Sequence, residues 1–482
     1  MLSSSMRISE HFNLGRTQPT LDFVDVDIQG DLPVFIDPRA LRLLPTPWGQ
    51  QCVSLIQRFF RVVLAAISEN RNDDAQTLLR SLREPNETHL GLSRGRARGR
   101  ALGWESARDV WEALSKSQAV RSGLLEDLED TILMVEGIAA DIVSDIATNI
   151  IRGPLIEYTQ AACNTYGIPL TAGVDSGPLW NADHNEWHSG YVNLPVAQGN
   201  KLLLVPKAIV RRRMDYDADE YYRNYLLEYL QEAELSASTQ LVQLLKNGTR
   251  RVTKKAVEGK YGRGKGMIVR ETLNHPDVLD QYRADKRRLI QPPLDHDELA
   301  EQENSQPPDW AALLRAVQEV PRGRDDADRF HAAVEQLLAA LFYPSLVNPQ
   351  SEFPIHHGRK RIDITFTNVA THGFFHWIAQ HYPAAHIFVE CKNYTGDPAN
   401  PELDQLSSRF SPSRGKVGLL VTRNFDDKEL FITRCRDTSN DDRGFVIPLD
   451  DDDLAILVAE RQNPKFQFAN SLLKQRFDRL IM

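Results

Sequence analysis

Cysteine is scarce in this chain, with four residues among 482: Cys52, Cys163, Cys391 and Cys435. They lie far apart, so no pair has the short spacing of a zinc-binding Cys-x-x-Cys motif, and no dense disulfide framework can form. Such sparing use of cysteine is typical of a reducing compartment. We therefore predict a cytoplasmic protein.

Long hydrophobic runs are missing as well. No stretch of 18 uncharged apolar residues occurs, so the sequence predicts no transmembrane helix and no membrane partner. The first residues also lack the apolar core of a signal peptide. Hydrophobic residues make up 41% of the chain and charged residues 26%, which are ordinary proportions for globular proteins. At roughly 100–200 residues per domain, the length allows two to four domains.

An excess of positive charge is the third absence, since 57 Lys and Arg stand against 66 Asp and Glu. A non-specific polyanion binder is usually basic overall, so any nucleic-acid surface here must be local. The strongest candidate is the segment 246–270, with nine basic residues and one acid. The alternative is an exposed helical hairpin with solvated side chains. The phosphate contacts predicted there are Arg250, Arg251, Lys254 and Lys255.

A second basic stretch, at residues 93–100, alternates arginine with glycine and serine. It could contact phosphates, but a solvated loop explains it equally well. It is not a P-loop, because no Gly-Lys-Ser or Gly-Lys-Thr ends it.

A change in composition divides the chain in two. Residues 291–309 are rich in proline and acidic side chains, which is typical of a linker. We therefore predict an N-terminal region over 1–290, a linker over 291–320 and a C-terminal domain over 321–482. Helical apolar stripes with short strand patterns predict that the first is a mainly helical α+β region, which senses a trigger or binds DNA.

The C-terminal domain begins with the pattern of an amphipathic helix followed by a strand. Over 326–342 apolar residues recur at i, i+4, i+7 and i+8, and Glu335 lies at the margin of this stripe. In the strand at 361–366, apolar and polar residues alternate. Asp363 therefore points away from the apolar face.

Residues 386–392 form a second apolar strand, and its period of two places Glu390 and Lys392 on one face. With Asp363 on a neighbouring strand, two carboxylates can supply the oxygen ligands that Mg²⁺, or Mn²⁺, prefers. The backbone carbonyl of Cys391 is a candidate further ligand. Lys392 can position the attacking water and stabilise negative charge in the transition state.

A helix is predicted after this strand, with Asn400 as N-cap and Pro401 at its first position. Gln405 and Arg409 lie four residues apart on one side of it. They can therefore reach a water molecule or a phosphate together.

Taken in order, Glu335, Asp363, Glu390-Cys-Lys392 and Gln405 resemble the active-site pattern of the PD-(D/E)xK, or restriction-endonuclease-like, nucleases. The resemblance covers about the last third of the chain. It implies an α/β fold with a mixed central sheet flanked by helices, divalent metal binding and nucleic-acid cleavage. It also implies that Asp363 and Glu390 are metal ligands, that Lys392 is catalytic, and that Glu335 and Gln405 complete the site.

The pattern departs from the family in one position, because Ile362 stands where a proline is usual. The alternative without function is an ordinary ion-pair cluster on a sheet. A Lys–Glu pair on the covered face of a sheet is costly unless it has a role, which favours the nuclease.

The sequence thus predicts an enzyme, a Mg²⁺- or Mn²⁺-dependent endonuclease acting on double-stranded DNA in bacterial restriction or antiphage defence. Cutting both strands often uses two active sites, so a homodimer is plausible, as are partner proteins of a defence system. Two alternatives stay open: a structure-specific DNA repair nuclease, and a nuclease-fold protein that binds nucleic acid without cleaving it.

Overall fold

A computed structural model of the chain describes residues 6–91, 104–288, 291–355, 360–463 and 471–482. The basic stretch at 93–100 lies outside these ranges.

Helices form most of the N-terminal part, because apolar side chains recur there at helical spacing. A π-helical turn, Tyr222–Leu226, connects two of them. The α-helices before residue 290 are Ile8–His11, Pro38–Leu41, Pro47–Ser68, Asn72–Leu79, Trp104–Lys116, Gln118–Arg121, Asp130–Met134, Ala140–Ile150, Arg152–Tyr166, Ala218–Tyr221, Leu227–Ser236, Lys254–Tyr261, Lys265–Asn274 and Pro276–Arg288.

The strands of this part are short and pair antiparallel, two by two. The pairs are Phe35–Ile36 with Val210–Arg211, Thr171–Asp175 with Tyr191–Leu194, Leu179–Asn181 with Glu186–His188, Val196–Ala197 with Asn200–Lys201, and Gln243–Leu244 with Arg250–Arg251. The mainly helical α+β architecture predicted for this region is therefore what the structure has.

Pro47–Ser68 is long and apolar enough to cross a membrane by length and composition, although the sequence predicted no such helix. The reason is that Arg58 and Arg61 interrupt the apolar run but leave its mean hydropathy at 1.3. In the structure the stripe of this helix that carries Ile56 and Phe59 is buried in the N-terminal core.

One five-stranded sheet forms the centre of the C-terminal part. Its strands follow the chain order, with the first three antiparallel and the last three parallel to one another. The strands are β1 (Leu346–Ile355), β2 (Lys360–Asn368), β3 (His386–Lys392), β4 (Val417–Thr422) and β5 (Phe445–Leu449). The mixed central sheet predicted from the sequence is confirmed.

Helices flank this sheet, and every residue of β4 is buried, as expected for a strand covered on both faces. Their apolar stripes and the sheet share one core, distinct from that of the N-terminal part. The helices are α1 (Ala327–Phe342), α2 (Gly373–His381), α3 (Asn400–Ser407), α4 (Lys428–Asn440), α5 (Asp451–Gln462) and α6 (Leu472–Ile481).

The predicted linker at 291–320 is folded. It holds two helices, His296–Glu303 and Trp310–Gln318, and the second packs against α1 and α5. Its composition misled the prediction because two of the acidic residues are N-caps: Asp295 and Asp309 accept hydrogen bonds from backbone amides of the first turns.

Polar and aromatic contacts join the N-terminal part to the sheet. The Asn348 amide at the start of β1 donates to Asp22 Oδ1 at 2.7 Å. Lys207 Nζ lies 4.0 Å from the centre of the Tyr343 ring. Tyr343 and Val347 are buried in the N-terminal core, although they belong to the C-terminal part. The two parts therefore share a packed interface.

His296 is a further contact at this interface, since its Nε2 lies 2.9 Å from the Ala340 carbonyl oxygen of α1. Its Nδ1 is buried and has no hydrogen-bond partner in the described chain. Burial, together with the positive charges of Lys207 and Arg461, lowers the pKa of His296 to about 3. The neutral ring is thus the form that the folded protein holds.

This arrangement predicts an acid-sensitive fold. Below the ordinary histidine pKa of about 6.5 the unfolded chain binds a proton that the folded chain does not, so the free energy of unfolding falls as the pH drops toward 3. His296→Gln should remove a slope of about 1.4 kcal/mol per pH unit between pH 6 and pH 4. Urea unfolding at several pH values measures this. Parallel wild-type and variant curves would contradict it, and His372→Gln, at an exposed histidine, is the control.

Candidate metal centre

Asp363 and Glu390 lie on β2 and β3 at the point where the hydrogen-bonded ladder of the two strands ends. The last paired residues are Ile364 and Val389, so the two acids come one position beyond. Here the backbone amide of Cys391 donates to Asp363 Oδ2 at 2.9 Å. A side-chain carboxylate therefore accepts the amide of the neighbouring strand where regular pairing stops.

Glu390 is fully buried, with 0% of its surface exposed. Its Oε1 accepts hydrogen bonds from Lys392 Nζ at 2.9 Å and from the amide nitrogen of Gln405. Lys392 Nζ also donates to Gln405 Oε1 at 3.2 Å. The other oxygen, Glu390 Oε2, has no hydrogen-bond partner among the described residues. The structure thus brings three of the predicted site residues together and leaves one buried carboxylate oxygen unsatisfied.

His331 of α1 is a member of the cluster that the sequence analysis missed. Its Nε2 lies 2.8 Å from Asp363 Oδ2. The predicted helical acid, Glu335, lies one turn further along α1 and is bound instead by Arg16 through two hydrogen bonds of 2.6 and 3.2 Å. In the described structure its carboxylate makes no contact with Asp363 or Glu390. The available signal was the i,i+4 spacing of His331 and Glu335, which puts both on one side of the helix.

The surroundings shift the pKa values of the two acids in the cluster in opposite directions. Burial disfavours the charge on Asp363, but the hydrogen bond and charge of His331 and the Cys391 amide outweigh it, so the pKa of Asp363 is lowered. Burial raises the pKa of Glu390, and the negative charge of Asp363 raises it further. For Lys392 burial is outweighed by attraction to Glu390, so its pKa is raised and it stays an ammonium.

Two donor sets could hold a metal ion. Ligand atoms of His331, Asp363 and Cys391 lie within 4.8 Å of one another. However, burial and the two nearby carboxylates raise the pKa of the Cys391 thiol, and a protonated thiol is a poor ligand. The pair of Asp363 with the unsatisfied Glu390 Oε2 is a hard oxygen set, which suits Mg²⁺ or Mn²⁺. A role of the Cys391 backbone carbonyl as a metal ligand stays a prediction.

Arg409 follows the end of α3 and is 8% exposed. Its positive charge lowers the pKa of Glu390, so it acts electrostatically on the cluster. Its Nε is buried and has no hydrogen-bond partner in the described chain. A phosphate contact of Arg409 stays a prediction.

The basic segment 246–270 belongs to the N-terminal part. Arg250 donates to Ser238 Oγ at 2.6 Å, and Lys254 pairs with Glu228 at 3.0 Å. Three more of its basic residues pair with acids, in the contacts Lys260–Glu234, Arg263–Glu258 and Arg270–Glu271. The segment is therefore less positive in its surroundings than its own composition indicates.

Arg251 and Lys255 differ from their neighbours in this segment. Both are exposed, and neither has an ion-pair partner in the described ranges. Of the predicted phosphate contacts in this segment, Lys254 has an ion pair and Arg250 donates to the neutral Ser238 hydroxyl, whereas Arg251 and Lys255 have neither an ion pair nor a side-chain hydrogen bond among the described residues.

Comparison with known proteins reaches only the N-terminal part. A family described as a domain of unknown function, DUF8370, matches residues 13–217. No curated protein and no solved structure matches the chain. The matched residues all precede the five-stranded sheet, so the similarity does not extend to the cluster.

The unequal support of the two acids predicts opposite effects of neutralising them. Asp363→Asn loses charged hydrogen bonds to Cys391 and His331, so the free energy of unfolding in EDTA should fall by about 1–3 kcal/mol. Glu390→Gln can still accept from Lys392 and Gln405 and removes a buried charge next to Asp363, so stability should stay or rise. Thermal unfolding of the metal-free variants measures both. A larger loss of stability for Glu390→Gln than for Asp363→Asn would show that the buried charge of Glu390 does not destabilise the fold.

Proposed function

We propose that the C-terminal part of this chain is a divalent-metal-dependent nuclease that hydrolyses phosphodiester bonds in DNA. One observation supports this most: Glu390 is fully buried beside Asp363 and has one oxygen without a hydrogen-bond partner. A buried carboxylate that lacks a full set of donors and lies beside a second carboxylate is costly unless a cation completes it. The residues present fit Mg²⁺ or Mn²⁺ through Asp363 and Glu390.

The other side chains of the cluster have roles that this chemistry requires. A bound divalent ion would polarise the phosphoryl oxygen and acidify a water molecule. Lys392, kept protonated by Glu390, can donate to the charge that develops on the phosphate in the transition state. Gln405 holds both Lys392 and Glu390. His331 fixes the orientation of Asp363, as outer partners of metal ligands commonly do.

DNA, in its double-stranded form, is the substrate that we propose. Arg409, with a buried and unpaired Nε near Glu390, is the phosphate contact within the site. Arg251 and Lys255 are exposed cations that can add contacts from the N-terminal part. Roles in restriction or antiphage defence, a homodimer and a cytoplasmic location stay predictions from the sequence.

Cleavage of supercoiled plasmid tests the proposal. We expect nicking or linearisation with Mg²⁺ or Mn²⁺ and none with EDTA. Lys392→Gln removes one charged donor to the transition state and should lower the rate about a hundred- to a thousand-fold. Lys416→Gln, which breaks an ion pair with Asp442 away from the cluster, is the matched control and should cut normally. Wild-type cleavage by Lys392→Gln, or cleavage in EDTA, would exclude the proposed site.

The salt dependence of DNA binding tests the basic segment separately. Each lost phosphate contact lowers the slope of log affinity against log salt concentration by about one. Arg251→Gln with Lys255→Gln should therefore reduce the slope by about two in Ca²⁺, which allows binding to be measured without turnover. Lys260→Gln, already paired with Glu234, is the control. An unchanged slope in the double variant would show that Arg251 and Lys255 are solvated side chains that do not contact phosphates.

A further inference from the structure

A cavity of about 490 Å³ lies between the N-terminal part and the sheet. Its size falls in the range of sites that hold small organic molecules. Trp48, Tyr158 and Ala208 line it from one side, and Thr365 and Phe388 of β2 and β3 from the other. The cavity is thus built by both parts of the chain, and Thr365 is two residues from Asp363.

Three polar atoms around this cavity lack hydrogen-bond partners among the described residues: Thr365 Oγ1, Arg414 Nε and His386 Nδ1. Thr365 is 6% exposed, and its Oγ1 has no hydrogen-bond partner among the described residues. The Nε of Arg414, which also lines the cavity, is buried and without a partner. Arginine keeps its positive charge when buried. Unsatisfied buried groups cost free energy, so Thr365 and Arg414 point to a ligand that offers hydrogen-bond acceptors and negative charge.

The two aromatic side chains that line the cavity, Trp48 and Tyr158, differ from these groups because their polar atoms already have hydrogen-bond partners. Trp48 Nε1 donates to the Pro154 carbonyl at 2.9 Å. The Tyr158 hydroxyl donates to Asp22 Oδ2 at 3.0 Å. Trp48 and Tyr158 therefore offer ring faces to an occupant, and ring faces favour flat aromatic partners.

Asp22 also lines the cavity and carries the charge that would repel an anion. Its two oxygens accept hydrogen bonds from Tyr158 and from the Asn348 amide. Burial raises the pKa of Asp22, although the charge of Lys207 opposes this. Both oxygens thus have a donor, whereas the Nε of Arg414 has no acceptor.

We propose that this cavity binds a small planar heteroaromatic anion of the nucleoside monophosphate class. The ring lies against Trp48 and Tyr158, the anionic group pairs with Arg414, and Thr365 donates to an acceptor on the ligand. Because the ligand contacts both parts of the chain, it also stabilises their interface. The proposal does not depend on nuclease activity, since binding is measured without cleavage.

AMP is the probe, and the quenching of tryptophan fluorescence in the full-length protein is the readout. We expect saturable quenching at one site, a rise in melting temperature, and weaker binding of adenosine and of inorganic phosphate, each of which lacks half of the ligand. Trp48→Phe should remove most of the quenching, which assigns the signal among the seven tryptophans.

Variants of two unpartnered groups, Arg414 and Thr365, decide the outcome. Arg414→Gln loses a charge-assisted hydrogen bond and should weaken AMP about tenfold or more. Arg434→Gln, a half-buried arginine of α4 that does not line the cavity, should bind as the wild type does. Thr365→Val keeps the shape and should also weaken binding, so it replaces Arg414→Gln if that variant fails to fold.

Three results would overturn the proposal. The first is no saturable binding of AMP up to millimolar concentration. The second is equal affinity for AMP and adenosine, or for AMP and phosphate, because the phosphate group or the ring would then contribute nothing to binding. The third is unchanged AMP affinity in folded Arg414→Gln and Thr365→Val. Loss of AMP binding together with normal plasmid cleavage would leave the proposed nuclease intact, so the two proposals fail separately.

Discussion

The burial of one carboxylate beside another is the constraint on which the rest of this site depends. Glu390 is fully buried and Asp363 is partly buried at the end of a strand pair, so the protein must compensate most of their charge itself. It does so unequally. Asp363 is held by His331 and by the Cys391 amide, whereas one oxygen of Glu390 is left without a donor. That asymmetry is the reason why we propose a cation site and not a closed ion-pair cluster.

The N-terminal part takes part in this arrangement through α1. Arg16 binds Glu335 on the helix that carries His331 one turn earlier. His331 in turn holds Asp363, so the position of one acid depends on a helix that both parts of the chain hold. The cavity under Thr365 and Phe388 lies on the strands that carry Asp363 and Glu390. The interface between the two parts and the candidate metal centre are therefore close neighbours in the fold.

Local patterns predicted much of the C-terminal part. The strand at 386–392 has the expected bounds, and the helix carrying Glu335 begins within one residue of its prediction. These succeeded because alternation and helical spacing are properties of a few consecutive residues. The assignments that failed depend on distant residues. Arg16, which forms an ion pair with Glu335, lies 319 positions away from it in the chain.

Two other differences have the same origin. The acidic, proline-rich segment was expected to be a linker because composition alone does not show that Asp295 and Asp309 cap helices. His331 was not predicted because its i,i+4 spacing from Glu335 places it only on one side of α1, and the packing of α1 near the end of β2 is what brings it to Asp363. Sequence patterns place residues on elements, and tertiary packing decides which of them meet.

Binding of Mn²⁺ in solution tests the central claim most directly, because electron paramagnetic resonance counts bound ions without relying on DNA or turnover. We predict about one bound ion per chain in the wild type. We also predict loss of that ion in Glu390→Gln, although the fold persists, because the proposed site uses the unsatisfied oxygen as a ligand. A wild-type chain that binds no Mn²⁺, or a Glu390→Gln chain that binds it equally well, would contradict the account.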